Sequence, residues 1–331
     1  MKAAVIGSGT WGLALSQVLC DNFHEVTVYS LMEDLAREIN TCHTATPVFG
    51  DHLFPERLYA TTDLEEAVRG KDALVLSVPT SALDSVLSQI APYLEEETVI
   101  VNTAKGFDRE ALMLPYAAIN KAFPGRKYPP VSLVGPSHAE EVVVRKLTGI
   151  CAASSDKETA AKVQNWFANT YLRVYTCADP IGAEVGSAVK NVIAIAAGMS
   201  DGLGIGGDNT KAALVTRGIC EIVRYGVYKG AQKETFFGLT GVGDLIVTCF
   251  SIHSRNYRAG LQIGKADDAA EFLANNTATV EGIFSCKVIA EEAKRLGIEM
   301  PLVEAVYDVL FGGQAPSLAV RAVMLRPLKE E

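Results

Sequence analysis

Near the amino end the chain reads Gly7-Ser8-Gly9-Thr10-Trp11-Gly12. Three glycines at this spacing have separate uses: Gly7 permits a tight turn, Gly9 lets backbone approach a pyrophosphate with no Cβ in the way, and Gly12 lets helix and strand pack closely. A helix beginning there would face phosphates with free N–H groups and a partial positive charge. Far along the chain, Lys190 stands inside an apolar, small-residue stretch, 182–198. An ordinary lysine of this kind snorkels to solvent. Here Asn191 follows directly and apolar residues continue on both sides, which leaves no polar face for it. Lysine becomes an effective acid or base when burial lowers its pKa toward neutrality. In Thr240-Gly241-Val242-Gly243-Asp244-Leu245 a carboxylate sits on a glycine-flanked turn, where backbone can come close to a ligand. Ser254-Arg255-Asn256 groups a hydroxyl, a planar guanidinium and an amide, a trio that suits a phosphate; the simpler reading makes Ser254 a helix N-cap. Lys105, in Thr103-Ala104-Lys105-Gly106, is either a solvated loop lysine or a phosphate or substrate contact, and His138 reads as a polar loop residue without a chemical role.

These residues need elements to hold them. Ala3 to Ile6, the glycine turn and the periodic Leu13, Leu15, Val18 and Leu19 read as strand, turn and helix. Further apolar runs at 73–78, 98–102, 131–134 and 149–152 suit strands buried on both faces of a parallel sheet. Three of them end in loops carrying Thr80, Lys105 and residues 135–140, which in an open α/β sheet line one crevice beyond the carboxyl ends of the strands. Glu25 to Tyr29 is the second strand. At its end, where an acid would hold the ribose hydroxyls of NAD or an arginine the 2′-phosphate of NADP, the chain has Ser30, Leu31 and Met32, and Glu33-Asp34 read as the start of a helix. Nothing there chooses between NAD and NADP. After a helix start at Ser154-Ser155-Asp156 and a last strand at 172–175, the alternation stops and the chain reads helical. The expected architecture is therefore a Rossmann-like, doubly wound α/β domain over residues 1–179, then an all-helical domain over 180–331. The halves are expected to abut and frame a cleft. The glycines at 202–207 read as an inter-helix turn, with Asp208 or Asn209 capping the next helix.

Composition excludes several classes. The 331 residues are 49% hydrophobic and 21% charged, with a formal net charge of −9. At about 150 residues per domain this suits two ordinary domains, and the acidic surface argues against nucleic acid or anionic lipid as a partner. Seven scattered cysteines with no CxxC pair suggest neither disulfide framework nor metal site, and a cytoplasmic location. The apolar start is too short for a signal peptide, and 185–199, with Lys190 and Asn191 inside it, falls short of a bilayer span. No membrane insertion is expected.

Taken in order, GSGTWG (7–12), TAKG (103–106), GPSHAEE (135–141), VKNVIAIAAGMSDGLG (189–204), TRG (216–218), TFFGLTGVGDLIVTC (235–249), SRN (254–256) and VEG (280–282) resemble the bacterial-type NAD(P)-dependent glycerol-3-phosphate dehydrogenases across nearly the whole chain. The resemblance implies the two-domain fold above, a homodimer, NAD or NADP as cofactor, and a small phosphate-ester substrate. By the same resemblance Gly7, Gly9, Thr10, Trp11 and Gly12 hold the dinucleotide, with Ala139 and Glu281 near it. Lys105 touches cofactor and substrate, Gly135 and Ser137 contact substrate, and Lys190 is the catalytic proton donor or acceptor. Asp244, Ser254, Arg255 and Asn256 complete the substrate pocket, Arg255 also near the cofactor. Family members often carry a basic residue just past the second strand, and Ser30-Leu31-Met32 lacks it. The alternatives are another two-domain dehydrogenase, of 3-hydroxyacid or 6-phosphogluconate type, and a non-catalytic dinucleotide sensor.

Overall fold

The computed structural model describes residues 1–108, 112–328 and 330. The chain divides into two compact units, Met1–Glu184 and Val185–Glu331.

In the first unit eight strands form one sheet: β1 (Lys2–Ile6), β2 (Glu25–Tyr29), β3 (Leu58–Thr61), β4 (Ala73–Leu76), β5 (Val99–Asn102), β6 (Val131–Val134), β7 (Thr148–Ala153) and β8 (Leu172–Cys177). Between them run helices α1 (Thr10–Asp21), α2 (Glu33–Cys42), α3 (Thr46–Phe49), α4 (Leu64–Val68), α5 (Leu83–Ile90), α6 (Pro115–Ala122), α7 (Ala139–Val142) and α8 (Lys157–Phe167). The strand order is β3-β2-β1-β4-β5-β6-β7-β8. It reverses direction between β1 and β4, and ligands of such sheets lie at that switch point, beyond the carboxyl ends of the strands. Every residue of β4, β5 and β6 is buried, as continuous apolar runs covered on both faces require. Two strands depart from the expected parallel arrangement: β7 runs antiparallel to β6, pairing Val134 with Cys151, and β8 runs parallel to β7. The intervening segment holds only the single turn α7, anchored by the Gln17 side chain donating to the Val143 carbonyl at 2.7 Å. An antiparallel neighbour needs no crossover helix, so so short an excursion suffices.

The first unit extends to Glu184, for a visible reason. The Glu184 carboxylate is buried and accepts from Asn102 Nδ2 (2.9 Å), Ser132 Oγ (2.5 Å) and the Tyr116 N–H (2.9 Å). Burial pushes this carboxyl up to about 7 against the pull of those donors. The first turn of the next helix is thereby tied to β5, β6 and α6, and belongs with the sheet.

That helix, α9 (Pro180–Gly202), leads into α10 (Asp208–Tyr228), α11 (Asp244–Phe250), α12 (Arg255–Ala266), α13 (Ala270–Asn275), α14 (Glu281–Leu296), α15 (Pro301–Phe311) and α16 (Pro316–Met324). Its 23 residues make it longer than the 185–199 run suggests, long and apolar enough by length and composition to cross a membrane, yet most of it is buried inside the protein. A core helix passes the same test. Backbone-to-backbone packing explains its small residues. A Cβ on Gly198 would lie 2.1 Å from the Tyr257 carbonyl oxygen and one on Gly202 2.5 Å from that of Leu261. From the other side, a Cβ on Gly260 would lie 2.1 Å from the Ile195 oxygen and one on Gly264 2.3 Å from that of Met199. Glycines four apart on both helices thus allow α9 and α12 to touch along their backbones. The cap of α10 is a correction: Gly207, with no side chain, occupies it, and Asp208 is already inside the first turn.

Candidate active site

In the first unit the glycine turn joins β1 to α1 as its spacing requires. Gly7 adopts φ +114°, and a Cβ there would lie 2.4 Å from the Ser77 carbonyl oxygen. A Cβ on Gly12 would lie 2.0 Å from the Gly7 oxygen. A Cβ on Gly9 would meet nothing within 4 Å. So Gly7 and Gly12 are required by the protein itself, and Gly9 faces free space at the start of α1, which no side chain caps. Thr10 and Trp11 open that helix, and the Trp11 indole N–H is buried without a hydrogen-bond partner among the described residues. An uncapped helix N-terminus, a glycine facing open space and an orphan donor fit a dinucleotide's pyrophosphate. At the ends of β5 and β6, Lys105 Nζ (3.0 Å) and Ser137 Oγ (3.2 Å) both donate to the Gly135 carbonyl. Gly135 has φ +148°, and a Cβ there would press on Ile150 Cα at 3.0 Å. The structure thus brings Lys105, Gly135 and Ser137 together. Ala139 follows them, buried, as the first residue of α7.

In the second unit Lys190 does not snorkel. It is 4% exposed, and its ammonium donates to the Asp244 carboxylate and to Thr248 Oγ1 at 2.9 Å. Burial favours the neutral amine and the carboxylate favours the ammonium, so Asp244 opposes the desolvation expected from sequence. Thr248 in turn donates to the Asp244 carbonyl at 2.6 Å, one helical turn along α11. The turn before Asp244 is a correction. Leu239–Gly243 is a π-helical turn whose glycine serves protein packing: a Cβ on Gly241 would lie 2.0 Å from the Phe236 oxygen, and one on Gly186 of α9 2.3 Å from the Thr240 oxygen. The close approach is between helix and turn, which delivers Asp244 to Lys190. Cys249 is buried beside this pair and its thiol is pushed up to about 12, mainly by burial, which makes it no nucleophile.

Ser254, Arg255 and Asn256 divide their tasks. Ser254 is the N-cap, accepting from the Tyr257 N–H at 3.2 Å, so the simpler reading holds for its oxygen while its O–H stays available to donate. Asn256 donates to Asn191 Oδ1 (2.9 Å) and accepts from the Gly282 N–H (2.9 Å). It ties α12 to α9 and α14 and is a tether more than an open phosphate ligand. Arg255 is exposed at the first position of α12, with no hydrogen bond or ion pair among the described residues. Glu281, half-buried, opens α14 next to Gly282. Sequence reasoning missed two participants. Thr248 is detectable as the i+4 neighbour of Asp244, whereas the partner of Asn191 lies 65 residues away and has no local signal.

The glycines separate two predicted outcomes. Gly9→Ala, at φ −74° and facing space, should leave the urea midpoint unchanged while raising the dissociation constant for NADH by about tenfold or more. Gly12→Ala, whose Cβ strikes backbone, should lower the midpoint itself. Denaturation curves and fluorescence titrations of both variants check this; equal stability loss in the two would remove the distinction.

Comparison with known proteins agrees along the whole chain. Residues 2–160 match the family model of the NAD-dependent glycerol-3-phosphate dehydrogenase N-terminus, and residues 179–321 that of its C-terminus. The chain is 46% identical over 331 residues to glycerol-3-phosphate dehydrogenase [NAD(P)+] of Exiguobacterium, covering 100% of this chain and 97% of that protein. It is 43% identical over the same length to that of Listeria innocua, covering 100% and 98%. Among solved structures, glycerol-3-phosphate dehydrogenase of Coxiella burnetii superposes with a TM-score of 0.90 at 32% identity, covering 98% of this chain and 99% of that one. A buried lysine–aspartate pair, a glycine cradle and this match in both halves lead to one conclusion: the chain belongs to the NAD-dependent glycerol-3-phosphate dehydrogenase family.

Proposed function

We propose that this protein is an NAD(P)-dependent sn-glycerol-3-phosphate dehydrogenase, reducing dihydroxyacetone phosphate to sn-glycerol 3-phosphate and running the reverse, and so supplying a phospholipid precursor. The observation that carries the reading is the buried ammonium of Lys190 between Asp244 and Thr248, in a chain that also builds a dinucleotide cradle. The nicotinamide cofactor, when bound, supplies the redox chemistry. Lys190 donates its proton to the C2 carbonyl oxygen, polarising it beforehand and stabilising the alkoxide as it develops. Asp244 and Thr248 hold the amine in one direction. Arg255, the Ser254 hydroxyl and the amino end of α12 hold the phosphate. Asn256 sets the position of that helix against α9. Phosphate binding remote from C2 is thereby converted into alignment of the carbonyl. Lys105, Gly135 and Ser137 are the substrate contacts of the first unit, Lys105 also reaching the cofactor. Gly7, Gly9, Thr10, Trp11 and Gly12 hold the dinucleotide, with Ala139, Glu281 and Arg255 beside it. A cytoplasmic location and a homodimer are part of the same reading, the homodimer supported by the exposed apolar side chains of Phe237, Phe250 and Ile252 in the second unit.

The test is NADH or NADPH oxidation by purified protein with dihydroxyacetone phosphate. Absence of turnover sinks the reading and favours a dinucleotide sensor; turnover with a 3-hydroxyacid or with 6-phosphogluconate would favour another dehydrogenase. Arg255→Ala should raise KM for dihydroxyacetone phosphate by roughly tenfold or more, the scale of a lost charge-assisted contact, with a smaller change in kcat. An unchanged KM would show that the phosphate is held elsewhere.

A further inference from the structure

In a sheet of this order the turn that ends β2 meets the adenosine ribose of a bound dinucleotide. Here that turn is closed. Ser30 is 1% exposed, its Oγ accepts from Ser8 Oγ (2.8 Å) and the Met32 N–H (3.1 Å), and its own N–H donates to the Thr61 carbonyl at 3.0 Å. The side chains that do reach solvent are Leu31, 86% exposed, and Met32, about half exposed. Neither donates a hydrogen bond or carries charge.

The surroundings are acidic. Helix α2 opens with Glu33 and Asp34, and the nearest cation on it, Arg37, is bridged to Asp34 at 2.6 Å. From the neighbouring strand, Thr61 donates to Glu66 at 2.5 Å, and Asp63 caps α4. Lys71 precedes β4, at the amino end of the sheet, and donates to Thr27 at 2.9 Å. Glu33 and Asp34 thus follow this turn directly, and the one arginine of α2 is already paired, whereas Lys71 faces Glu66. A 2′-phosphate brings close to two further negative charges and needs a guanidinium, an ammonium or several N–H donors.

We infer that this protein discriminates against the 2′-phosphate of NADP(H) and takes NAD(H) as its preferred cofactor, with Leu31 and Met32 as the specificity-determining positions. The inference rests on the proposed dinucleotide site. NADH places a neutral hydroxyl where NADPH places a dianion, so the same apolar, acid-rimmed turn accepts one and repels the other. Because the rim is exposed, the repulsive part is screened, and the preference narrows as ionic strength rises.

Equilibrium binding of NADH and of NADPH to the full-length protein, by calorimetry without substrate, tests this directly. The expected dissociation constant for NADH is about tenfold or more below that for NADPH at low salt. Met32→Arg, and independently Leu31→Arg, should tighten NADPH by about tenfold while changing NADH by less than about twofold. Both positions are exposed, so the variants should fold. Equal or tighter binding of NADPH by the wild-type protein would overturn the inference. A wild-type preference that neither arginine relieves would overturn the assignment to Leu31 and Met32. Binding of neither cofactor would sink the dinucleotide site itself, an outcome distinct from a lost preference.

Discussion

Lys190→Ala should lower kcat for dihydroxyacetone phosphate by roughly 100-fold or more, the scale of a lost acid–base group, while NADH binding stays within about twofold. Two effects have to be separated. The amine is the proposed proton donor, and it is also the counter-charge of Asp244, which is 1% exposed. Removing it takes the ammonium counter-charge from a buried carboxylate, which costs up to about 3–5 kcal/mol. The melting temperature should therefore fall as well, and turnover has to be measured below the new transition, where near-UV circular dichroism reports native packing. Asp244→Asn complements this test. It keeps the ammonium and a hydrogen-bonding partner but removes the negative charge, so the buried ammonium loses its counter-charge in turn, and both stability and turnover should fall. Near-normal turnover in Lys190→Ala would remove this residue from the mechanism.

The second large effect involves no chemistry. Gly198→Ala should cost about 3 kcal/mol or more, at the upper end of overpacking, because its Cβ would strike the Tyr257 oxygen at 2.1 Å and the Leu261 nitrogen at 2.7 Å. Both are backbone atoms of α12, so no rotamer change relieves the contact; the helices have to separate. Arg255 and Asn256 open α12, and Asn256 bonds Asn191 next to Lys190. Separation of α9 from α12 should therefore raise KM along with the loss of stability. Gly207→Ala is the control. Its backbone is extended at φ 172° and its Cβ meets nothing within 4 Å, so its effect should stay within about 0.5 kcal/mol. Urea unfolding curves for the two variants decide the matter, and coincident midpoints would show that the α9–α12 contact tolerates a methyl group.

Much of this molecule is legible along the chain. The glycine spacing at 7–12, the buried strand runs, the helical second half and the anomaly of Lys190 each follow from local pattern, because turn, strand and helix are decided by residues within about four positions of one another. Tertiary structure alone supplied the partners. It set Thr248 beside Lys190, engaged Asn256 with Asn191 and Gly282, turned β7 against β6, and assigned the glycines near 240 to helix packing instead of a ligand. It also closed Ser30 into the end of β2, so that the chemistry of that turn passes to its exposed neighbours. Periodicity states which side of an element will be buried. Which group then satisfies a buried amine, amide or hydroxyl depends on the element that packs against that side, and the spacing of residues along the chain does not encode that meeting.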